Sequence, residues 1–350
     1  MQRGNQSYRF IFSFFIVLLF CISCSQMKTY PIDFEQLGED ERIVIRFSHV
    51  VGENTPKGLA ARQFAEIVKK RSNGYVEVQV FPNGYLYGDG EELKALSNGD
   101  VQIIAPATSK ISTIVPEWSI LDLPYAFNDE SELHHYLTNS IGQELIEKLE
   151  RKGFHTLAIW ENGFKQISNR DYPIYEPNDL NTLKVRIMPS RFIERQFKMF
   201  NADPKIMDFN DLYSYLENRS VDAQENTLSN ITSKNIHSIQ KNLTISNHGY
   251  LGYVILVDRD FWRELPEEVQ HIIEEALAEV NEWQWNLARK INQEKLSFLE
   301  ACDCIDIYYL TDEEKQVWED AFQPVYDYYV NRFGSKYIDA LPKVEGGIDE

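Results

Sequence analysis

The stretch IVIRFSHVVGENTPKGLAARQFAEIVKKRSNGYVEVQVFPNG, residues 43–84, indicates the fold class. Residues 43–50 are apolar and β-branched enough for a buried strand, and Pro56 then opens an amphipathic helix. Residues 75–81 alternate between apolar and polar side chains as a second strand, and residues 101–105 form another short apolar run. Strands that alternate with helices in this way are typical of an α/β domain with a mostly parallel sheet.

The same alternation continues through the middle of the chain. Strands are predicted at 156–160, 182–188 and 251–257, with a helix at 191–200. No Gly/Ser-rich or Pro-rich linker separates the two halves, so we expect two lobes joined by short crossing strands that act as a hinge. After Pro266 an apolar stripe predicts a helix roughly 50 Å long, which is enough to span both lobes.

The composition excludes several classes of protein. The chain has 350 residues, 43% of them hydrophobic, which suffices for a large core in two α/β-sized domains. Lys and Arg number 35 against 54 Asp and Glu, and the formal net charge of −19 argues against binding to nucleic acid or to anionic lipid. The sequence contains no GxSxG, HExxH, GxxxxGK[ST] or GxGxxG motif, and its histidines lack metal-ligand spacing. With two of four cysteines in the first 24 residues, no disulfide framework is expected.

Residues 1–24 have the plan of a secretory signal. The apolar run 10–22 follows two arginines and is too short to span a membrane comfortably. It ends in CISC, which resembles the lipobox of bacterial lipoproteins, with Cys24 as the cysteine that would be lipidated. Residues 25–41 are predicted to form an acidic tether. We therefore expect an extracytoplasmic protein that is lipid-anchored to the bacterial cell membrane, or periplasmic if Cys24 is not lipidated.

Two cationic side chains, Arg186 and Lys165, lie in or next to predicted strands. Arg186 lies inside the apolar strand LKVRI, where an unpaired charge would cost several kcal/mol. Its partner is either an internal carboxylate or a bound anion, and the planar fork of arginine suits a carboxylate. Lys165 follows a strand in WENGFKQ (160–166), after a predicted turn, where a surface lysine is the ordinary interpretation. Polar groups at the ends of later strands, in VDAQEN (221–226) and NHGYLGY (247–253), lie where open α/β sheets bind ligands.

Seven segments, in order, resemble the extracytoplasmic solute receptors of TRAP (tripartite ATP-independent periplasmic) transporters, and among them the C4-dicarboxylate (DctP-type) branch. The segments are FSHVVGENTPKG, PNGYLYGDGEELKALSNGDVQ, LDLPYAF, WENGFKQISN, LKVRIMPS, VDAQEN and SNHGYLGY. The resemblance extends from about Ile43 to about Ala340. It implies a two-lobe, periplasmic-binding-protein-like fold of type II with an interdomain cleft and a long bracing helix. The implied boundaries are 42–162 plus 252–290 for lobe I, and 163–251 plus 291–350 for lobe II.

The resemblance also implies roles for single residues. Arg186 matches the arginine that pairs with the ligand carboxylate, and Asn226 matches its amide partner, although Thr227 stands where the family usually has proline. Lys165 matches the lysine of the dicarboxylate branch, whose usual wording is WDNGFKQ. The other residues expected to face the ligand are His49, Ser109, Lys110, His248 and Tyr250. The resemblance implies no catalytic residue, metal or cofactor.

The implied function is that of a non-enzymatic receptor. It would bind a C4-dicarboxylate such as succinate, malate or fumarate and deliver it to the membrane subunits of a TRAP transporter. We expect a monomer that contacts the membrane only through the lipid anchor and that binds no nucleic acid. Three other interpretations remain open at this point: a receptor for another organic acid, a secreted hydrolase or lyase, and a lipid-anchored interaction domain.

Overall fold

A computed structural model describes residues 42–342 of the chain, in which the strands form one mixed sheet. The strands are β1 (Ile43–Ser48), β2 (Val76–Phe81), β3 (Ile103–Ile104), β4 (Phe154–Asn169), β5 (Lys184–Ile187), β6 (Asp203–Ile206), β7 (Ala223–Asn226), β8 (Asn242–Asp258) and β9 (Asp306–Tyr309). They lie in the order β2-β1-β3-β8-β4-β7-β5-β6, and β9 pairs with β8. The prediction of a mostly parallel sheet is wrong in its centre, because β8 is antiparallel to both β3 and β4, and β4 is antiparallel to β7.

The α-helices alternate with these strands, as the sequence predicts. They are α1 (Pro56–Arg71), α2 (Glu92–Ser97), α3 (Thr108–Ile111), α4 (Glu130–Thr138), α5 (Ser140–Glu150), α6 (Arg191–Lys198), α7 (Leu212–Glu217), α8 (Leu228–Ser233), α9 (Arg259–Glu264), α10 (Glu267–Ala301) and α11 (Asp312–Phe333). Short 3-10 helices occupy Pro116–Asp122, Pro177–Leu180 and Ile236–Ser238. Strands and helices together give the two-lobe α/β fold that was expected.

Two long strands connect the lobes. β4 and β8 run antiparallel to each other; the end of β8 pairs with β3, while the end of β4 pairs with β7. We call β1–β3 the first strand group and β5–β7 the second strand group. The pairing of β4 with β8 shifts register between Glu161 and Gly163 and again between Lys165 and Ile167. Gly163 has φ +122°, a conformation that residues with a Cβ rarely adopt. The two strands are therefore irregular where they pass from one group to the other.

The helix predicted after Pro266 is confirmed as α10, which has 35 residues. It packs along α1 and β4. Gln284 of α10 is fully buried and bonds both the amide nitrogen (2.8 Å) and the carbonyl oxygen (2.7 Å) of Glu161. Asn292 donates to the carbonyl oxygen of Asn162 at 2.6 Å. The helix thus braces β4 at the point where its register shifts.

A disulfide joins Cys302 to Cys304 just after α10. This bond was not expected from the sequence, and it closes a local loop around Asp303 instead of linking distant elements. Among residues 42–342, no helix combines the length and apolar character needed to cross a membrane. The predicted signal segment, the lipidation site at Cys24 and the acidic tether all lie outside the described residues.

Candidate functional site

Lys165 lies within a strand and is buried, so the prediction of an exposed lysine after a turn is wrong. WENGFKQ is part of β4, and the chain bulges there instead of turning. The side chain is 1% exposed, and its Nζ lies 2.7 Å from Oε2 of Glu225 on β7. The lysine therefore has an internal carboxylate partner that the sequence did not reveal.

His248 completes this group from β8. Its Nε2 lies 3.0 Å from the same Oε2 of Glu225, and its Nδ1 lies 2.7 Å from the hydroxyl of Ser246. Burial opposes ionisation of Glu225, but the charge of Lys165 and the hydrogen bond from His248 outweigh it and lower the pKa of Glu225 to about 2. Burial in turn lowers the pKa of His248, so the ring is neutral at pH 7. Because Glu225 is ionised, Nε2 of His248 must carry the hydrogen and donate it.

Arg186 is 1% exposed and lies on β5. Its Nε donates to the carbonyl oxygen of Met207 at 2.9 Å, and its guanidinium lies 5.9 Å from the ring centre of Phe209. Nη2 lies 3.8 Å from Oδ2 of Asp89 and has no hydrogen-bond partner among residues 42–342. Arg186 is thus held in place by its Nε, while one end of its fork keeps a donor for a further acceptor.

Lys165 and Arg186 do not lie on neighbouring strands, because β7 lies between β4 and β5. This intervening strand supplies Glu225, whose charge acts on both cations. The two cations therefore flank one carboxylate.

Lys110 belongs to a second buried cluster of charges. Its Nζ contacts Oδ1 of Asp89 and lies 3.5 Å from Oε2 of Glu92. Lys57 is fully buried nearby, donates to the carbonyl oxygen of Ala105 at 2.8 Å and lies 3.6 Å from the ring centre of Tyr253. Burial lowers the pKa of Lys57 to about 7 and raises that of Glu92 to about 7. Asp89 connects this cluster to Arg186.

Asn226 lies at the end of β7, as predicted, and is 3% exposed. Its Oδ1 accepts hydrogen bonds from the backbone nitrogen of Thr227 (3.1 Å) and from Nδ2 of Asn230 (2.8 Å). The hydroxyl of Thr227, which stands at the family's proline position, accepts from Nδ2 of Asn162 at 2.7 Å. These bonds fix the carbonyl side of the Asn226 amide, so its NH2 group is the part oriented for a further contact.

Ser109, on α3, is fully buried and donates to Oδ1 of Asp122 at 2.5 Å. The charge of Lys165 acts on the same carboxylate. Lys165, Glu225 and His248 therefore form one bonded group, and Ser109 with Asp122 lies near enough for the charge of Lys165 to act on the Asp122 carboxylate. Arg186 and Asp89 are linked to this group through the charge of Glu225 on Arg186. Their role in ligand binding stays a prediction.

Two predicted residues make their contacts elsewhere. Burial and the nearby Glu161 raise the pKa of the Tyr250 phenol well above its usual range, and its ring centre lies 6.4 Å from that of Phe164. His49 follows β1 and is fully buried, with its ring 6.1 Å from that of Phe47. Burial and the nearby charge of Lys57 lower the pKa of His49 to about 3. His49 is therefore a neutral residue of the interior near Lys57.

Residues 47–332 match the family described as bacterial extracellular solute-binding protein, family 7. The chain belongs to this family. Family 7 proteins are solute receptors, which agrees with the two-lobe fold.

Several known proteins resemble the chain over most of its length. The C4-dicarboxylate-binding protein DctB of Bacillus subtilis is 47% identical over 314 residues, which cover 90% of each chain. A TRAP periplasmic solute-binding protein of Sulfurospirillum deleyianum, solved with bound succinate, is 39% identical with a TM-score of 0.83 and covers 85% of this chain and 97% of its own. One from Pseudomonas aeruginosa, solved with bound L-malate, is 33% identical with a TM-score of 0.79, covering 82% of this chain and 100% of its own.

The sequence interpretation missed the acidic side of the site. Glu225 lies in VDAQEN among amide side chains, and Asp89 closely precedes Glu91 and Glu92 at a helix start, where acidic residues are ordinary. Asp122 carried a signal that was available: it is an acid inside the apolar segment LDLPYAF, as unusual there as Arg186 is in LKVRI. The same argument that singled out the arginine would have found it.

Proposed function

We propose that this family 7 protein is the receptor of a TRAP transporter and binds a C4-dicarboxylate such as succinate, malate or fumarate. The observation that carries the proposal is the buried Arg186, whose Nη2 is unpaired by any hydrogen bond within residues 42–342 although Nε is fixed. A guanidinium held in this way presents donors to a planar carboxylate. The bound succinate and L-malate of the two structural relatives support a dicarboxylate as the ligand.

The second carboxylate of the ligand is assigned to Lys165. This ammonium has three donors, and Glu225 accepts at 2.7 Å, so donors remain for a ligand oxygen. The NH2 group of Asn226 is assigned to the same carboxylate as Arg186. Each charge-assisted hydrogen bond contributes about 1.5 to 3 kcal/mol, and three or four support roughly micromolar affinity after the entropic cost of binding.

Binding between two lobes implies closure around the ligand. We assign 42–162 plus 252–290 to lobe I and 163–251 plus 291–350 to lobe II. The register shift between Glu161 and Gly163 supports the boundary on β4, and the opposing Leu251 and Gly252 support the one on β8. A ligand that contacts both lobes favours the closed state, because it binds that state better.

The remaining parts of the proposal concern cellular context. We assign the receptor to the outer face of the bacterial cell membrane, anchored through lipid on Cys24, with membrane subunits of a TRAP permease as its protein partners. It acts as a monomer and catalyses no reaction. Mass spectrometry of the mature amino terminus tests the anchor, since a diacylglyceryl mass on Cys24 is expected, and an unmodified terminus would make the protein periplasmic instead.

Isothermal titration of the purified protein with succinate, L-malate, fumarate and sialic acid tests the ligand class. We expect at least one dicarboxylate to bind with roughly micromolar affinity and sialic acid to give no heat. Heat from sialic acid alone would favour a receptor for another organic acid. NMR spectra of each ligand after overnight incubation with the protein should show no new resonances. Resonances of a new product would favour a hydrolase or lyase.

Gly249 offers a test of the position of Lys165. The two residues pair between β8 and β4, and a Cβ on Gly249 would lie 2.7 Å from Cε of Lys165. Gly249→Ala should therefore displace the ammonium and weaken succinate binding about tenfold, equivalent to about 1.4 kcal/mol, as measured by titration. The control is Gly88→Ala, whose new methyl group would meet the Glu91 carboxylate only at 3.6 Å. Equal affinities for the two variants would contradict the placement of Lys165.

A further inference from the structure

A buried carboxylate next to the proposed site connects the two strand groups. Asp122 ends the 3-10 helix Pro116–Asp122 and is 2% exposed. Its Oδ1 accepts from the hydroxyl of Ser109 at 2.5 Å, on α3, which follows β3 of the first strand group. Its Oδ2 accepts from the hydroxyl of Ser190 at 2.7 Å, in the connection that leaves β5 of the second strand group. The single carboxylate is thus bonded from both groups at once.

The contact on the side of the second strand group is reinforced by α6. Ser190 is the N-cap of this helix and accepts from the backbone nitrogens of Phe192 (3.2 Å) and Ile193 (3.4 Å) while it donates to Asp122. One turn further on, Nε2 of Gln196 donates to the backbone oxygen of Asp122 at 2.5 Å. The N-cap residue and the second turn of α6 therefore hold Asp122 through its side chain and its backbone.

Asp122 is an unfavourable choice for packing alone. Its direct partners are neutral hydroxyls, and the nearby cation Lys165 is already paired with Glu225 at 2.7 Å. Burial accordingly raises the pKa of Asp122 to about 6. An apolar residue of similar size would fill the space without the desolvation cost of a carboxylate. The carboxylate is better explained by a contact that forms and breaks.

Other contacts between the strand groups are less suited to this role. Nδ2 of Asn210 donates to the carbonyl oxygen of Asn83 at 2.8 Å, but this bond is exposed and competes with water. Asp89 lies 3.8 Å from Arg186, beyond hydrogen-bond distance, and its buried hydrogen bond from the backbone nitrogen of Phe209 is long, at 3.3 Å. The bonds of Asp122 are shorter and fully buried.

We propose that Asp122 is a clasp between the two strand groups, whose hydrogen bonds to Ser109 and Ser190 hold the closed arrangement and slow the release of bound ligand. It is a positioning residue, since it acts on the lobes and not on the ligand. The inference rests on the proposed function only in using succinate release as its kinetic readout. Loss of the clasp favours the open arrangement with or without ligand, so a bound ligand is released faster, while association, which begins from the open arrangement, is not slowed.

The test compares two variants with a matched control. Asp122→Ala removes the whole contact, and Ser190→Gly removes only the bond from α6, because glycine is tolerated as an N-cap. The control is Ser119→Ala in the same 3-10 helix, whose hydroxyl bonds the carbonyl oxygen of Pro116 within its own segment. Stopped-flow fluorescence of the full protein with succinate gives both rate constants, and small-angle X-ray scattering gives the radius of gyration without ligand.

We expect Asp122→Ala and Ser190→Gly to release succinate about tenfold faster, as the loss of one or two hydrogen bonds to a charged group would produce. Ser119→Ala should release it at the wild-type rate. Release rates in both variants equal to wild type, or a lowered association rate with unchanged release, would overturn the clasp. If the wild-type protein does not respond to succinate, the proposed ligand is wrong, and the scattering measurement then decides on the clasp. A radius of gyration larger in Asp122→Ala and Ser190→Gly than in wild type supports the clasp, and equal radii of gyration overturn it.

Discussion

Arg186→Ala should abolish measurable succinate binding while the protein stays folded. The substitution removes the fork assigned to the ligand carboxylate, and two charge-assisted hydrogen bonds correspond to a loss of about 100-fold to 10,000-fold in affinity. The fold should survive because Asp89 keeps its contact with Lys110. Isothermal titration measures the affinity, and thermal unfolding shows whether the variant is folded.

Two further variants at arginine positions separate the possible causes of that loss. Arg186→Lys keeps the charge but not the planar fork, so we expect binding between that of wild type and that of Arg186→Ala. Arg195→Ala is the matched control, because Arg195 is exposed and stacks on Tyr328 with its guanidinium 4.3 Å from the ring centre. Wild-type affinity in Arg186→Ala would refute the role given to this residue.

Lys165→Met should lower both stability and affinity. It leaves Glu225 buried with only His248 as a direct partner, and breaking a buried ion pair from one side costs about 3 to 5 kcal/mol of unfolding free energy. The double variant Lys165→Met/Glu225→Gln should regain most of that stability, because no charge is left unpaired. It should still not bind succinate, because the cation is absent. Urea unfolding and titration measure the two effects separately.

An exposed pair provides the control for this experiment. Lys198 is 60% exposed and lies 2.5 Å from Glu194, so Lys198→Met should cost less than about 1 kcal/mol. A Lys165→Met protein as stable as Lys198→Met, or a double variant that binds succinate like wild type, would refute the role given to Lys165.

The buried pair also predicts a dependence of stability on pH. The pKa of Glu225 is lowered from 4.5 to about 2 in the folded protein, so ionised Glu225 stabilises the fold above pH 4.5. That contribution is lost as the pH falls from 4.5 towards 2. The difference in unfolding free energy between wild type and Glu225→Gln should therefore shrink over this range.

The acidic composition of the chain does not oppose a dianionic ligand. The formal net charge is −19, but salt screens charges beyond about 8 to 10 Å. Within the site, Arg186 and Lys165 are close enough to act directly. Their partners Asp89 and Glu225 hold them without using every donor. The local arrangement of donors, and not the total charge, sets the preference for a carboxylate.

The local elements of the fold were predictable because their signals are local. The pattern of apolar residues and Pro56 predicted β1 and α1, and the apolar stripe after Pro266 predicted α10. The course of β4 was not predictable in the same way. Gly163 in WENGFKQ has the appearance of a turn, yet pairing with β8 and hydrogen bonds from α10 keep the segment in the sheet. Such tertiary contacts leave no periodic trace in the sequence.

The site, too, has a part that was predictable from local sequence and a part that was not. Arg186 could be singled out because a charge within an apolar strand is conspicuous without knowledge of its neighbours. Its relation to Asp89, and that of Lys165 to Glu225, depends on strand order, which places β7 between β4 and β5. Strand pairing likewise explains why Tyr250 has different neighbours from Lys165. Tyr250 pairs with Phe164, whereas Lys165 pairs with Gly249.

A crystal structure of the protein with succinate would show directly which side chains hold the ligand. We expect one carboxylate of succinate within about 3 Å of the Arg186 guanidinium and the Asn226 amide, and the other within that distance of Lys165 Nζ. Succinate bound with neither carboxylate at Arg186, or density for a different acid in its place after soaking at saturating succinate, would contradict this expectation.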